Sequence, residues 1–410
     1  MEYELLLDQS KSYSEDKTNN SLENSLRIKL LVRASEILGI RDTPLFQLLL
    51  FSKVKNYIRF IVLRKIYEMF PDVLNIKQEN KHENIFNSFM ELGIQLDMIT
   101  LNTYTYSLNE NYLLKEKARH NVIHYEYQND NQAINEILHD YHFIEDAINA
   151  SSNQTLSKIM KKKDYVYIKE VLKYIQEINQ LDFHQQISPS FSEDFYTDLG
   201  ELAFNIYTKD NYQSFISQKQ YSSILDIGCG NGNYIDVHLN DGIPNIVGVE
   251  RQERVFEKLK TKYKANSNIV IYNDDIMNLS FHEKFDMINM SYMLFYLTED
   301  EKENLFMKLK HILNNEGAII ICQYYPDFEI YQELIAKHNK SWDFISRFKY
   351  DICNSILRAE VVLNNMLVDF EKAEQWDPFL NLLDNCGFEV SEISPADDNY
   401  YSYFITIKHK

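Results

Sequence analysis

The feature that most constrains this chain is a short apolar run that ends in an acid and is followed at once by closely spaced glycines. Residues 223–234 read Ser-Ile-Leu-Asp-Ile-Gly-Cys-Gly-Asn-Gly-Asn-Tyr. Such a run is typical of a buried parallel strand, and glycine at alternate positions lets the backbone turn sharply and approach a ligand before the next helix begins. The stretch therefore predicts a nucleotide-type binding turn.

The spacing of these glycines separates two kinds of nucleotide. A dinucleotide site would show G-x-G-x-x-G, with a helix N-terminus facing a pyrophosphate. This chain has G-x-G-x-G instead, with Asp226 two residues ahead of the first glycine. A carboxylate there repels phosphate but suits a cationic ammonium group, so the pattern favours an amino-acid-bearing nucleoside over NAD. A dehydrogenase remains the alternative, because it shares an acid after its second strand.

These residues resemble the first motif of the class I S-adenosylmethionine-dependent methyltransferases, and three later stretches agree in order and spacing. Residues 246–250 are similar to the second strand of that family, whose closing acid, here Glu250, accepts both ribose hydroxyls. Residues 269–272 lead to Asp274, Asp275 and Ile276, at the position where members of the family contact the adenine of the cofactor. Residues 285–290 look like the fourth strand.

The resemblance covers residues 191–410 and implies an α/β domain with a seven-stranded, Rossmann-like sheet. Residues 388–390 and 403–407 resemble the closing hairpin of that fold, one strand of which lies antiparallel between strands five and six. S-adenosyl-L-methionine is the cofactor implied. The residues expected to bind it are Asp226, Gly228, Cys229, Gly230, Asn231, Gly232, Glu250, Arg251, Asp274, Asp275, Ile276, Asn289, Met290 and Ser291.

Net charge and cysteine spacing limit which binding partners and which cellular compartment we expect for this protein. The 410 residues carry a formal net charge of −19, most of it after residue 190, which disfavours a nucleic-acid substrate. No signal-peptide pattern and no apolar run of membrane-spanning length is present. The four cysteines lack C-x-x-C spacing, and His120 and His124 lack a third metal ligand in sight. We expect a cytoplasmic protein that acts on a small molecule or a peptide, without a membrane, nucleic-acid or metal partner.

The region before the glycine-rich stretch predicts a mostly α-helical front. Residues 1–20 are polar and indicate a flexible tail, and residues 21–110 show helical periodicity followed by a strand-rich stretch at 98–108. Helices followed by a hairpin favour a winged-helix-like unit, similar to the dimerisation domain of small-molecule O-methyltransferases, so we expect a homodimer. DNA binding is the alternative, but the helix predicted at 84–96 carries Glu91 and no lysine or arginine.

Two further segments complete the predicted organisation of the chain. Residues 111–190 favour a helical connector that helps to cover the substrate, and residues 195–207 predict a helix that lies against the cofactor cleft. Strand five is predicted at residues 318–322, and about 60 residues separate it from strand six, where the minimal fold needs one helix. We expect residues 327–370 to form a helical lid at the carboxyl edge of the sheet, where ligands bind in open α/β folds.

The accepting atom determines whether the protein must supply a base. Many hydroxyl methyltransferases place a histidine base just after strand four, and Phe295 takes that place here. This substitution favours an acceptor that needs no base, and a carboxylate is the simplest. Tyr292 and Tyr296 could hydrogen-bond the nucleophile, although such aromatics are more often packing residues. Arg347 could hold a carboxylate, although a surface arginine is the commoner reading.

The predicted function is therefore O-methylation of a secondary metabolite or a modified peptide, with carboxylate favoured over hydroxyl. Methylation of a peptide or protein carboxyl group, C- or N-methylation of a small molecule, and a non-catalytic or DNA-binding role remain open.

Overall fold

The computed structural model describes residues 76–77, 83–95, 99–102, 105–108, 200–324 apart from 202 and 218, 358, 361–362, 364–365, 371, 374–397 and 402–410. The chain forms two compact units. One contains residues 1–186 and 343–366, and the other contains residues 187–342 and 367–410.

The first unit contains a small antiparallel sheet and one described helix. Its elements are β1 (Ile76–Lys77), α1 (Glu83–Gln95), β2 (Ile99–Asn102) and β3 (Thr105–Leu108), with the strands in the order β1-β3-β2. The helix and the hairpin lie where the sequence predicts them. Within this unit Arg358 Nη1 lies 3.2 Å from Glu91 Oε2, so a residue of the segment predicted as a lid pairs with α1. The predicted boundaries at 20, 110 and 190 and most of the lid lie outside the described residues and stay predictions.

The second unit contains an α/β domain with a seven-stranded sheet. Its elements are α2 (Lys209–Ile216), β4 (Ser223–Ile227), α3 (Asn233–Asn240), β5 (Asn245–Val249), α4 (Glu253–Lys262), β6 (Ile269–Tyr272), β7 (Phe285–Ser291), α5 (Glu299–Ile312), β8 (Leu313–Gln323), α6 (Trp376–Cys386), β9 (Phe388–Pro395) and β10 (Tyr403–His409).

The strand order in this sheet is β6-β5-β4-β7-β8-β10-β9. Strands β4 to β8 pair in parallel, whereas β10 runs antiparallel between β8 and β9. The seven-stranded Rossmann-like fold and its closing hairpin are therefore confirmed. Strand order reverses beside β4, and the carboxyl end of such a strand is where open α/β sheets bind ligands.

Apolar side chains on both faces of the central strands explain why these segments are buried parallel strands. In β4 and β5 every residue after the first is buried, whereas β6, at the edge of the sheet, alternates between half-buried and exposed positions. Cys229, Cys322 and Cys386 are buried and unpaired, as the cysteine spacing predicts. None of the helices in the described part of the chain is long and apolar enough to span a membrane.

Two predicted boundaries are wrong. The helix predicted to end at Tyr207 continues through a π-helical turn, Phe204–Thr208, into α2, because Phe204, Thr208, Tyr212 and Ile216 form one buried stripe at four-residue spacing. Strand five was predicted to begin at Ala318, but β8 begins at Leu313. The pairing of β8 with β7 is irregular at this point, because it shifts from Phe285–Leu313 to Met287–Ala318. This irregularity accommodates the turn-forming residues between Leu313 and Ala318.

Candidate active site

The glycine-rich loop between β4 and α3 is held by the backbone of β5 and by a tyrosine of the next helix. The amides of Gly228 and Cys229 donate to the Val249 carbonyl, at 2.9 and 3.1 Å. Tyr263 Oη donates to the Gly232 carbonyl at 2.9 Å, and Gly232 adopts a left-handed conformation at the start of α3. A Cβ at Gly230 would meet nothing nearer than the Gly228 carbonyl, at 4.0 Å. The loop therefore has a fixed backbone and open space beside its middle glycine.

Glu250, directly after β5, is buried and oriented by two backbone amides. Its Oε2 accepts from Gly230 N at 3.0 Å, and its Oε1 accepts from Gln252 N at 2.9 Å. Asn273 Nδ2 donates to the carbonyls of Glu250 and Arg251, which fixes the turn after the strand. Burial raises the pKa of Glu250, while these amides and Arg251 oppose that shift. Each carboxylate oxygen keeps a lone pair for a ligand hydroxyl.

Asp226 and Asn289 form a buried polar pair at the carboxyl ends of the paired strands β4 and β7. Asn289 Nδ2 donates to Asp226 Oδ1 at 2.7 Å. Asp226 Oδ2 and Asn289 Oδ1 are buried and accept no hydrogen bond. Desolvation by burial raises the pKa of Asp226 to about 7, and the hydrogen bond from Asn289 opposes that shift. Two unsatisfied acceptors therefore sit below the glycine-rich loop, an arrangement that suits a cation or an N–H donor.

The turn after β6 holds the two acids that the sequence places near the adenine. Asp274 Oδ1 accepts from Asp275 N and from Asn278 Nδ2, and these bonds lower the pKa of Asp274. Asp275 is exposed, and its Oδ1 accepts from Met277 N at 2.8 Å. Ile276 is buried beneath them.

The residue after β7 adopts an unusual backbone conformation. Tyr292 has a φ of 52°, the only positive φ among the described residues other than glycine. Its hydroxyl lies 2.5 Å from Ser402 Oγ, and Ser402 N donates to the buried carboxylate of Asp397 at 3.0 Å. Burial raises the pKa of Tyr292 well above its usual value. The Tyr292 hydroxyl is therefore a neutral, positioned hydrogen-bonding group.

The turn after Tyr292 contains aromatic residues at the position where many hydroxyl methyltransferases have a histidine base. Phe295 is buried and stacks on Tyr324, with ring centroids 5.6 Å apart, and it contacts Tyr296 edge-on at 4.9 Å. Glu371 N donates to the Phe295 carbonyl at 3.0 Å. Phe295 is thus a packing residue, while Tyr296 is half-buried beside it.

The structure brings most of the predicted cofactor residues to one edge of the sheet. Asp226, Glu250, Asn289 and the glycine-rich loop, with Cys229 and Asn231, meet at the ends of β4, β5 and β7. Met290 is a buried residue of β7, and Ser291 ends that strand. Their contacts with a cofactor stay predictions. Arg347 lies outside the described residues.

Sequence reasoning missed Ser402, Asp397 and Tyr234. Tyr234 hydrogen-bonds both Ser291 and Cys322 from the start of α3. Ser402 and Asp397 lie about a hundred residues from Tyr292 in sequence, and only the antiparallel placement of β10 beside β8 brings them together. No local pattern could have identified them.

The donor set fits S-adenosylmethionine better than a dinucleotide. Asp226 lies near the carboxyl end of β4, where its carboxylate would repel a pyrophosphate, and its Oδ2 is a buried acceptor without a partner. Among the described residues no group of histidine, cysteine, aspartate and glutamate is arranged to hold a metal ion.

Comparison with known proteins decides between the two nucleotides. Residues 224–317 match the family model described as a methyltransferase domain. A carboxy-S-adenosyl-L-methionine synthase of Cronobacter sakazakii is 26% identical over 181 residues, which cover 42% of this chain and 69% of that protein. An uncharacterized methyltransferase of Oceanobacillus iheyensis is 27% identical over 121 residues, 29% of this chain and 54% of that protein.

The second unit is a class I S-adenosylmethionine-dependent methyltransferase domain. S-adenosyl-L-methionine is its cofactor. An O-methyltransferase family 2 protein from Planctomyces limnophilus, solved with apigenin, shares the fold at 10% identity with a TM-score of 0.50, covering 88% of this chain and 96% of that one. The matches to the Oceanobacillus protein and similar uncharacterized methyltransferases span only about half of those proteins.

In this methyltransferase domain the Asp226 carboxylate should make cofactor binding depend on pH. A cationic ligand favours the ionised carboxylate, so with a pKa of about 7 the affinity should rise about tenfold from pH 6 to pH 8 and level off above. His238 does not titrate in this window, because burial lowers its pKa to about 3. Calorimetric titration with S-adenosylmethionine at a series of pH values measures the effect.

The control is Asp226→Asn, which keeps an acceptor for Asn289 and removes the charge. This variant should bind more weakly, with a flat pH dependence. The folded protein holds the Asp226 proton more tightly than the unfolded chain, so this group costs stability as pH rises from about 4 to about 7. The variant should therefore melt higher than the wild type at pH 8. A steep pH dependence that persists in Asp226→Asn would contradict the assignment.

Proposed function

We propose that this protein transfers the methyl group of S-adenosylmethionine to an oxygen of its acceptor, and that the acceptor oxygen belongs to a carboxylate. The observation that supports this is the identity of the residues that follow β7. The hydroxyl of Tyr292 is neutral and hydrogen-bonded to Ser402. The buried Phe295 occupies the position at which many hydroxyl methyltransferases have a histidine base. A carboxylate is ionised at neutral pH and loses no proton on methylation, so this edge needs only to position it.

When bound, the cofactor supplies a methyl group on a sulfonium, and the protein must hold the acceptor in line with it and exclude water. Asp226 and Asn289 would hold the cationic amino-acid part, and Glu250 the ribose hydroxyls. Tyr292 is locked in place by its backbone amide, which donates to the Cys322 carbonyl at 2.9 Å, and by Ser402. Its hydroxyl would orient the acceptor oxygen, with Tyr296 on the neighbouring turn.

The acceptor would be a secondary metabolite or a modified peptide. The proposal includes a peptide or protein carboxyl group as the acceptor, and Arg347 as the residue that would hold its carboxylate. We also propose a cytoplasmic location, since Cys229, Cys322 and Cys386 are unpaired and buried.

The chemical nature of the product tests the accepting atom. The full chain is incubated with methyl-labelled cofactor and a panel of carboxylic acids, phenols, amines and short peptides. A methyl ester releases labelled methanol on mild alkaline treatment, whereas an ether or an N-methyl product does not. We expect volatile label from at least one carboxylic acid, and at least about fivefold less of it when Glu250→Ala replaces the wild type at subsaturating cofactor. Label that survives alkali would contradict the carboxylate assignment.

The same assignment predicts how the rate responds to pH. With saturating cofactor and acceptor in a single turnover, methyl transfer should be nearly flat between about pH 6 and pH 9, because no residue takes up a proton. Tyr296→Phe should change the rate less than about threefold. A rising limb that disappears in Tyr296→Phe would instead make Tyr296 part of a proton path to a hydroxyl acceptor.

We further propose a homodimer formed largely through residues 21–110. The support is the described helix α1 and hairpin β2–β3, in a segment with no strong net charge. Light scattering of the full chain should give twice the mass of 48.8 kDa at micromolar concentration. A single-chain mass would contradict it.

A further inference from the structure

Two residues at the end of α4 connect the glycine-rich loop to the helix that follows it. Lys262 is the last residue of α4, and its Nζ donates to Asp236 Oδ2 in α3 at 2.7 Å and to the Asn231 carbonyl at 2.9 Å. The hydroxyl of Tyr263 lies 2.8 Å from Asp236 Oδ1 and 2.9 Å from the Gly232 carbonyl. We call Lys262, Tyr263 and Asp236 together the loop clamp.

The loop clamp is linked to the cofactor acids through one peptide unit. The amide of Gly230 donates to Glu250, the acid expected to hold the ribose, at 3.0 Å. The carbonyl of the next residue, Asn231, accepts from Lys262. Because peptide groups are planar and joined by few soft torsions, a shift of the Asn231 carbonyl also moves the backbone at Gly230. Lys262 can therefore act on the cofactor site through the loop.

A lysine in the last turn of a helix commonly has a weaker role. Lys260, in the same turn, pairs with Glu257 at 3.3 Å, and both of these side chains are mostly exposed. The side chains of Lys262 and Asp236 are also partly exposed, at 40% and 37%. Exposed ion pairs add little to folding stability. The contact with the loop carbonyl is therefore the feature that distinguishes Lys262 from its neighbour.

We propose that Lys262 is a positioning residue for S-adenosylmethionine, which holds the Asn231 carbonyl and so orients the glycine-rich loop for cofactor binding. Asp236 fixes the lysine ammonium group, and Tyr263 fixes the adjoining Gly232 carbonyl. A loop that is ordered before binding loses less conformational freedom when the ligand arrives, so the clamp raises the affinity. The inference concerns the cofactor alone and is independent of the carboxylate assignment.

The charge of Lys262 and its positioning role predict opposite effects on binding. S-adenosylmethionine carries a net positive charge at neutral pH, whereas S-adenosylhomocysteine carries none. If Lys262 acted only through its charge, its removal would strengthen binding of the cationic cofactor and leave the neutral product unchanged. If it acts by holding the loop, its removal weakens the binding of both ligands by a similar factor.

Calorimetric titration of the full chain with each ligand distinguishes these cases, at a temperature at which circular dichroism shows every variant to be folded. Lys262→Met keeps the aliphatic stem and loses the charged donor, so both ligands should bind at least about threefold more weakly. Lys260→Met removes the same charge from the same helix and should stay within about twofold of the wild type. Lys262→Arg keeps a cationic donor and should bind both ligands more tightly than Lys262→Met.

Three results would overturn the proposal. They are a loss of less than about threefold in Lys262→Met, an equal loss in Lys260→Met, and an affinity of Lys262→Arg no better than that of Lys262→Met. Tighter binding of S-adenosylmethionine by Lys262→Met would assign the lysine an electrostatic role instead.

Amide hydrogen exchange of the ligand-free chain tests the same step without a ligand. Peptides that cover residues 228–236 should exchange faster in Lys262→Met than in the wild type, because the loop loses a bond that holds it closed. Lys260→Met should leave this exchange unchanged. Equal exchange in Lys262→Met and the wild type would show that the lysine does not order the loop, and would overturn the inference.

Discussion

Replacing Glu250 by alanine is expected to weaken S-adenosylmethionine binding by about 1–3 kcal/mol, which is roughly fivefold to 150-fold in affinity. The variant loses a charged acceptor for the ribose hydroxyls. It also frees the amides of Gly230 and Gln252, which the carboxylate holds at 3.0 and 2.9 Å. The effect therefore has a direct part and a part from a less ordered loop, and calorimetry measures their sum.

The matched control is Glu257→Ala. Glu257 is an exposed acid of the following helix whose ion pair with Lys260 lies at the surface. Exposed pairs of this kind contribute little, so cofactor binding should be unchanged. An affinity of Glu250→Ala within twofold of the wild type would show that Glu250 does not hold the cofactor.

Replacing Gly232 by alanine is expected to destabilise the domain by about 2–4 kcal/mol, through a left-handed backbone and a steric clash. Gly232 has a φ of +75°, and a Cβ would lie 2.2 Å from Tyr263 Oη and 3.0 Å from Leu259 Cδ2. That hydroxyl cannot move freely, because it lies within hydrogen-bond distance of both the Gly232 carbonyl, at 2.9 Å, and Asp236 Oδ1, at 2.8 Å. Chemical denaturation of both proteins measures the loss.

Gly242→Ala separates the two causes. Gly242 also has a φ of +75°, but a Cβ there would meet nothing within 4 Å. This control should lose only the cost of the left-handed conformation, about 1–2 kcal/mol. Equal losses at the two positions would mean that the contact with Tyr263 does not constrain the loop.

The cofactor half of the site could be predicted because its chemistry is local in sequence. Asp226 lies near the end of β4 and Glu250 directly follows β5. Because the carboxyl ends of parallel strands meet at one edge, the order of the motifs nearly fixes the arrangement of these two acids. Asn289 was named from the segment that resembles the fourth strand, and the structure places it opposite Asp226 on β7.

The acceptor half could not be predicted in the same way. Ser402 and Asp397 reach Tyr292 only because β10 inserts antiparallel beside β8, a placement that leaves no short-range signal. The start of β8 was misplaced because the segment after Leu313 contains residues that favour turns, and the irregular pairing with β7 absorbs them.

The most direct test of the central claim is a calorimetric titration of the full chain with S-adenosylmethionine and, separately, with NAD. The Asp226 carboxylate near the end of β4, with its unsatisfied Oδ2, predicts one S-adenosylmethionine site with low-micromolar affinity and no measurable heat with NAD. Saturable binding of NAD, with no binding of S-adenosylmethionine, would contradict the account.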